Sequence, residues 1–160
     1  MTDTADLYDT HGDRLQVAAP LFQDFGGAPR FSGEIATVKV FEDNTRVRSI
    51  LETQGAGRVL VVDGGGSLRC ARVGDQIGAL ASGNGWSGLV INGCIRDSRQ
   101  LAELPIGIKA LAACPAKSVK RGEGQTQIGV LFADIRFIPG HYLWADPDGI
   151  VTATSALTSA

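Results

Sequence analysis

Gly57-Arg58-Val59-Leu60-Val61-Val62-Asp63-Gly64-Gly65-Gly66-Ser67 is the stretch on which the reading of this chain turns. Arg58 to Val62 is a continuous apolar run, rich in β-branched residues and too short for a helix, so it reads as a strand. It opens into three adjacent glycines, which let the backbone pack tightly against a neighbouring strand or subunit. An anion cradle is the weaker reading of Asp63 to Ser67, because no Gly-Lys-Ser or Gly-Lys-Thr is present.

The flanks alternate in type. Upstream, Glu34 to Phe41 has strand periodicity, and Asn44 caps a helix that carries Val47, Ile50 and Leu51 and ends at Gly55. Downstream come a helix from Asp75 to Ala81, a strand from Gly88 to Ile91, a helix from Asp97 to Leu104 and a strand from Ile106 to Leu111. That order predicts parallel pairing in an α/β fold. After Cys114 the pattern changes. Ile128 to Phe132, Ile135 to Ile138, Tyr142 to Ala145 and Ile150 to Thr152 are short strands, the last preceded by the hairpin signal Asp148-Gly149. A short helix from Thr4 to Thr10, stopped by Gly12, completes the reading. The expected architecture is one α/β domain over residues 1–160, with a mixed sheet and an antiparallel C-terminal β meander.

Composition narrows the function. The chain has 160 residues, 15 basic and 17 acidic, for a net charge of −2. A dedicated nucleic-acid binder would show a basic excess, so direct nucleic-acid binding is not expected. No apolar run approaches the roughly 20 residues of a membrane span. Met1 to Asp13 is polar and acidic, unlike a signal peptide. Cys70, Cys94 and Cys114 are odd in number and form no CxxC, so reduced thiols in a soluble cytoplasmic protein are expected.

Most motifs have plain explanations. Gly83 to Gly88 fits GxGxxG but follows a helix and precedes a strand, which makes it a helix C-cap and turn. His11 and His141 are the only histidines and have no partners at ligand spacing, which argues against a histidine zinc site. Lys117, Lys120 and Arg121 read as a solvated basic loop. Arg96-Asp97 is different. The pair lies just past the strand Gly88 to Ile91, where α/β sheets bind ligands. Asp75, in Gly74-Asp75-Gln76-Ile77, also stands at a helix start, where outward N–H groups receive carboxylates. A guanidinium, a hard carboxylate and free amides are the parts needed to hold a keto acid on a divalent metal. Pattern alone still favours helix caps, since Asp97 with Gln100 resembles a capping box.

Several blocks shift that balance. Pro20-Leu21-Phe22 with Phe25-Gly26-Gly27, Thr37 to Asn44, Gly57 to Ser67 and Ile106 to Ala110 resemble the RraA-like family, over about residues 4–155. That family is similar to the class II 4-hydroxy-4-methyl-2-oxoglutarate aldolases, and the resemblance implies their swivelling β/β/α fold and a homotrimer with sites between subunits. Those aldolases carry an acidic residue, twenty intervening positions, then Arg-Asp. Asp75, Arg96 and Asp97 match. The resemblance implies that Asp97 ligates Mg²⁺ or Mn²⁺, Arg96 holds the pyruvoyl oxygens and Asp75 orients a metal-bound water. Amides from Gly74, Asp75, Gln76 and Ile77 would receive the pyruvate carboxylate. Longer aldolases add a C-terminal acidic residue from a neighbouring subunit, and no obvious equivalent precedes Ala160. The expected activity is aldol cleavage to pyruvate, with oxaloacetate decarboxylation in the same site. The alternative implied by the resemblance is a non-enzymatic regulator that binds an endonuclease of the ribonuclease E type.

Overall fold

The computed structural model describes residues 1–158, so the last two positions of the expected domain span lie outside the described residues. The chain runs α1 (Thr4–His11), β1 (Gln16–Val17), β2 (Gln23–Asp24), β3 (Phe31–Lys39), α2 (Thr45–Leu51), β4 (Val59–Asp63), β5 (Ala71–Val73), α3 (Asp75–Gly83) and β6 (Gly88–Ile95). It continues with α4 (Ser98–Leu101), β7 (Gly107–Ala113), β8 (Gln125–Thr126), β9 (Val130–Phe132), β10 (Ile135–Phe137), β11 (Tyr142–Asp146) and β12 (Gly149–Ala153).

The glycine-flanked apolar strand is β4, at the centre of a mixed sheet ordered β1-β12-β11-β3-β4-β6-β7-β2. It pairs in parallel with β3 and with β6, and β6 pairs in parallel with β7. All five of its residues are buried, because each face meets a different core. Leu60 and Val62 join Val38, Leu89 and Ile91 under the helices. Val59 and Val61 join Ile35 and Val90 beneath the C-terminal hairpins, where Phe132 stacks on Phe137 at 4.5 Å between centroids. The result is the expected layering: helices, mixed sheet, antiparallel β.

Glycine makes room where these layers are tightest. Gly88 and Gly107 are register partners on β6 and β7, and a Cβ on either would collide with the Phe31 ring. Gly64 packs against β6 as expected: its N–H and that of Gly66 both donate to Asn92 O at 3.1 Å, and a Cβ on Gly64 would stand 2.8 Å from that oxygen. Arg72, with no measurable exposure, anchors the same loop by donating to Gly64 O at 2.7 Å and Cys70 O at 2.6 Å.

Four differences from the sequence reading matter. β6 extends to Ile95 rather than Ile91, because after a break in register it regains pairing with β7 at Cys94 and Ile95 and pairs there with β5 as well. The expected helix from Asp97 to Leu104 shrinks to the single turn α4: at its start Asp97 takes a left-handed conformation (φ 56°) outside the helical region, and past Leu101 the N–H groups of Glu103 and Leu104 reach only three residues back, to Gln100 O and Leu101 O. α1 runs to His11 rather than Thr10, and its C-cap Gly12, at φ −48°, carries the chain on into a 3₁₀ turn through Arg14 instead of a loop. β1, β2, β5 and β8 are two or three residues long, too short to show a period. No helix among the described residues is long and apolar enough to cross a membrane.

Candidate active site

The parallel strands end together, and their exits build one cleft. β5 leads through Gly74 into α3, while β6 leads through Arg96 and Asp97 into α4. The two exits are tied by Arg96 N–H donating to Val73 O at 2.9 Å. Gly74, Asp75, Gln76, Ile77, Arg96 and Asp97 all line a cleft of about 560 Å³. Every residue singled out from the sequence is therefore brought to one place.

Asp97 is not the cap of its own helix. Its side chain makes no capping bond to α4. Instead Oδ2 accepts the Asp75 N–H at 3.0 Å, so the carboxylate caps α3 across the cleft floor. Gly74 must stay small for this, since a Cβ there would lie 2.7 Å from Asp97 Oδ2. The left-handed backbone of Asp97 is what turns the side chain toward α3. The Asp75 N–H holds the Asp97 carboxyl below its ordinary value; burial opposes it as the next largest effect, and the Asp75 side chain and then the Arg96 guanidinium add smaller lowering contributions. Asp97 is thus a charged acceptor at neutral pH.

The helix-start amides are not the free donors that the sequence suggested. Asp75 N–H is taken by Asp97, and Gln76 N–H donates to Asp75 Oδ1 at 2.9 Å. A substrate carboxylate reaches these two amides only by displacing those carboxylates. Arg96 is free by contrast: its guanidinium makes no hydrogen bond or ion pair within the described residues.

The cleft also recruits residues that the sequence reading assigned elsewhere. Asn44 was expected to cap α2, but Asp43 does so by accepting the Thr45 N–H at 2.8 Å, and Asn44 faces the cleft. Lys117 and Lys120, read as a solvated loop, line the cleft together with Arg48. A second cavity of about 360 Å³ adjoins it, sharing Asn44, Arg48, Ile77 and Lys120. Nothing local marks these side chains; the contact is made by chain returning from β7, more than twenty positions past Arg96. The assembled cleft sets two adjacent carboxylates among several cations.

No group of three or more His, Cys, Asp or Glu able to hold a metal occurs among the described residues. That excludes from them a closed structural zinc site. Two neighbouring carboxylates facing open space do fit Mg²⁺ or Mn²⁺, hard cations that keep several waters and take one or two protein carboxylates.

A fold of central parallel strands extended by antiparallel ones, with a polar cleft outside their carboxyl ends, defines an α/β protein with a candidate small-molecule site at the place where such sheets bind ligands. The comparisons with known proteins make this specific. The family model described as RraA-like (Aldolase/RraA) matches residues 2–152, and the chain belongs to that family. A protein of Laribacter hongkongensis named "Putative 4-hydroxy-4-methyl-2-oxoglutarate aldolase" is 58% identical over 154 residues, covering 96% of this chain and 97% of its own. A Geobacillus kaustophilus structure described as S-adenosylmethionine: 2-dimethylmenaquinone methyltransferase superposes with a TM-score of 0.96 at 49% identity, over 98% of this chain and 97% of its own. The "RNA-processing inhibitor RraA" of Thermus thermophilis gives a TM-score of 0.96 at 41% identity, over 100% and 97%. Three names on one fold mean that the site, not the fold, must decide the chemistry.

Proposed function

We propose that this chain is a divalent-metal-dependent lyase that cleaves 4-hydroxy-4-methyl-2-oxoglutarate to pyruvate and decarboxylates oxaloacetate in the same cleft. The observation that carries the reading is the meeting of Asp75, Arg96 and Asp97 around one cleft of about 560 Å³, a volume within the usual range for small-molecule sites. The aldolase name of the 58% identical relative supports it. A keto diacid carries two negative charges, and Arg96, Arg48, Lys117 and Lys120 supply complementary ones.

In aldol cleavage the C4 hydroxyl loses its proton and its oxygen forms the carbonyl of one pyruvate (C4, C5 and the methyl) as the C3–C4 bond breaks; the electron pair of that bond moves toward the C2 carbonyl and leaves C1 to C3 as the enolate of a second pyruvate. Protonation at C3 then yields pyruvate. The barrier is the charge growing on the C2 oxygen. Asp97 would hold a divalent cation, which when bound supplies Lewis-acid stabilisation worth several kcal/mol. Arg96 donates to the keto-acid oxygens as a fixed, charge-assisted fork. Asp97 keeps one oxygen on the Asp75 N–H, which fixes the direction of the other. Asp75 orients the water through which the proton passes.

The site would be completed by neighbouring subunits of a homotrimer. Phe41, Leu68 and Val119 are large exposed apolar side chains; Val119 lines the cleft, and Phe41 and Leu68 belong to the segments that flank it, which suits such an interface. The same surface supports the second reading, a regulator of a ribonuclease, to which the name of the Thermus relative points. The deciding experiment is pyruvate release from both substrates by metal-stripped protein, with and without Mg²⁺. Release only with metal supports the lyase. None under either condition transfers the assignment to the regulator.

A further inference from the structure

Asp43 touches no part of the cleft, yet it sets where one wall stands. It is only 2% exposed. Oδ1 accepts the Thr45 N–H at 2.8 Å and the Thr45 hydroxyl at 2.7 Å. Oδ2 accepts the N–H of Arg121 at 2.8 Å and of Glu123 at 3.2 Å. The main chain adds a bridge between Asp43 and Val119, with Val119 N–H donating to Glu42 O at 2.9 Å. Gly122 N–H reaches Thr45 Oγ1 at 3.3 Å.

The same segment is fastened a second time, nearer α3. Ala71 N–H donates to Ala116 O at 2.8 Å, and Ser118 Oγ donates to Ala71 O at 2.5 Å. Residues 116–123 therefore form a strap with two fastenings. Lys120, which lines both cavities, stands between the two residues held by Glu42 and Asp43. Burial alone would push the Asp43 carboxyl up. The N–H groups of Thr45, Arg121 and Glu123 and the Thr45 hydroxyl outweigh it and hold the group at about 2. Four donors converge on this one buried carboxylate, so its charged form is the form the strap is built around.

We propose that Asp43 is a positioning residue for the cleft, a buried carboxylate that fastens residues 117–123 to the start of α2 so that Lys120 faces an anionic group of the substrate. The identity of that anion rests on the lyase reading; the strap itself does not. An asparagine has one oxygen in place of two, and its NH₂ would confront either the Arg121 and Glu123 donors or those of Thr45. Asp43→Asn should release the strap without altering Asp75, Arg96 or Asp97.

The test compares wild type, Asp43→Asn, Lys120→Ala and the double variant. Native-state trypsin cleavage after Lys117, Lys120 and Arg121, read by mass spectrometry, reports the strap without reference to activity. Asp43→Asn should speed that cleavage at least about tenfold through a larger open population. It should raise KM for the keto acid about tenfold, with kcat within about twofold, the pattern of lost ground-state binding. The double variant should show no further rise in KM over Lys120→Ala, because both changes remove one contact. Unchanged cleavage, or KM effects that multiply, overturns the proposal. Should Asp43→Asn fail to fold, Thr45→Val, which removes the Gly122 N–H bond from the strap and one of the four donors to Asp43, carries the same comparison. Should wild type release no pyruvate under any metal condition, the lyase reading falls and cleavage alone judges the strap.

Discussion

Asp97 joins two roles that substitution can separate. It offers a carboxylate to the cleft, and it holds a left-handed backbone at φ 56°. Alanine removes the carboxylate and is poorly suited to that backbone, at a cost of roughly 1–2 kcal/mol. Glycine removes the carboxylate and adopts the conformation freely. Asparagine keeps shape and backbone tolerance but loses the charge. All three lose the full-strength acceptor for the Asp75 N–H, a capping bond worth about 1 kcal/mol at an exposed position. Asp97→Gly should thus be more stable than Asp97→Ala by about 1 kcal/mol, or roughly 2–4 °C in Tm for a chain of this length. Activity should not follow that order. If the carboxylate is a metal ligand, all three variants should lose metal-dependent pyruvate release by at least about 100-fold, about 2.7 kcal/mol of transition-state stabilisation. Thermal melts and pyruvate assays across a Mg²⁺ titration measure both. An Asp97→Gly variant with kcat/KM within about threefold of wild type at the same metal concentration would refute the ligand role. Equal melting of the glycine and alanine variants would refute the backbone argument.

Arg96→Lys keeps the charge but loses the planar fork, so kcat/KM should fall at least about tenfold; near-normal kinetics would exclude fork recognition. Oxalate, a planar dianion resembling the enolate, should raise Tm only with Mg²⁺ or Mn²⁺ present, and Asp97→Asn should abolish the shift; a metal-independent shift counts against the lyase. Gly107→Ala drives a methyl into the Phe31 ring and should cost about 1–3 kcal/mol by denaturant unfolding, relieved by Phe31→Leu in the same chain; equal stability would refute the packing account. The Asp43 carboxyl is lowered from 3.8 to about 2, so its contribution is complete above the ordinary carboxylate range and fades as pH falls from about 4 to 2. Amide exchange of residues 116–123, read by mass spectrometry against the intrinsic rates, should lose protection over that interval in wild type and show no such step in Asp43→Asn.

What the sequence made legible is what local pattern encodes. The apolar run in β4 announced a strand at the centre of a parallel set, and the reversed polarity of Gly83 to Gly88 correctly marked a helix end: Asn84 N–H donates to Leu80 O at 3.1 Å, and Gly85 turns at φ 80°. Asp75, Arg96 and Asp97 were legible because twenty intervening positions match a family motif, and each sits at an element end. The capping of α3 by Asp97 was not legible, because Asp97 and Asp75 are joined only by the pairing of β5 with β6, and β5 is too short to see. Lys117 and Lys120 do lie in an exposed loop as read, but their place on the cleft was not legible for the same reason: the fastenings of that loop to Asp43 and Ala71 span more than forty residues and leave no period.

This division also bears on how one fold carries three printed names. The two cores are set by β3, β4, β6 and β7, whose inward residues are fixed by packing. The cleft is made of what lies beyond those strands: the Gly74–Ile77 turn, the Arg96-Asp97 corner and the 116–123 strap. Replacing Asp97 would remove an exposed carboxylate and one capping bond, leaving both cores untouched. A relative could therefore lose cation binding at small cost in stability and keep the surface on which a protein partner rests. Identity across the whole chain consequently says less about activity than the side chains at positions 75, 96 and 97. In this chain all three are present, and Gly74 keeps the space that Asp97 occupies. A surface used only for docking places no such demand on a glycine, so Gly74→Ala distinguishes the two cases. It should displace the Asp97 carboxylate and reduce metal-dependent pyruvate release while a docking function persists. Full pyruvate release by Gly74→Ala would show that the contact between Asp97 and the start of α3 is dispensable for the chemistry, and the demand on Gly74 would then be one of packing alone.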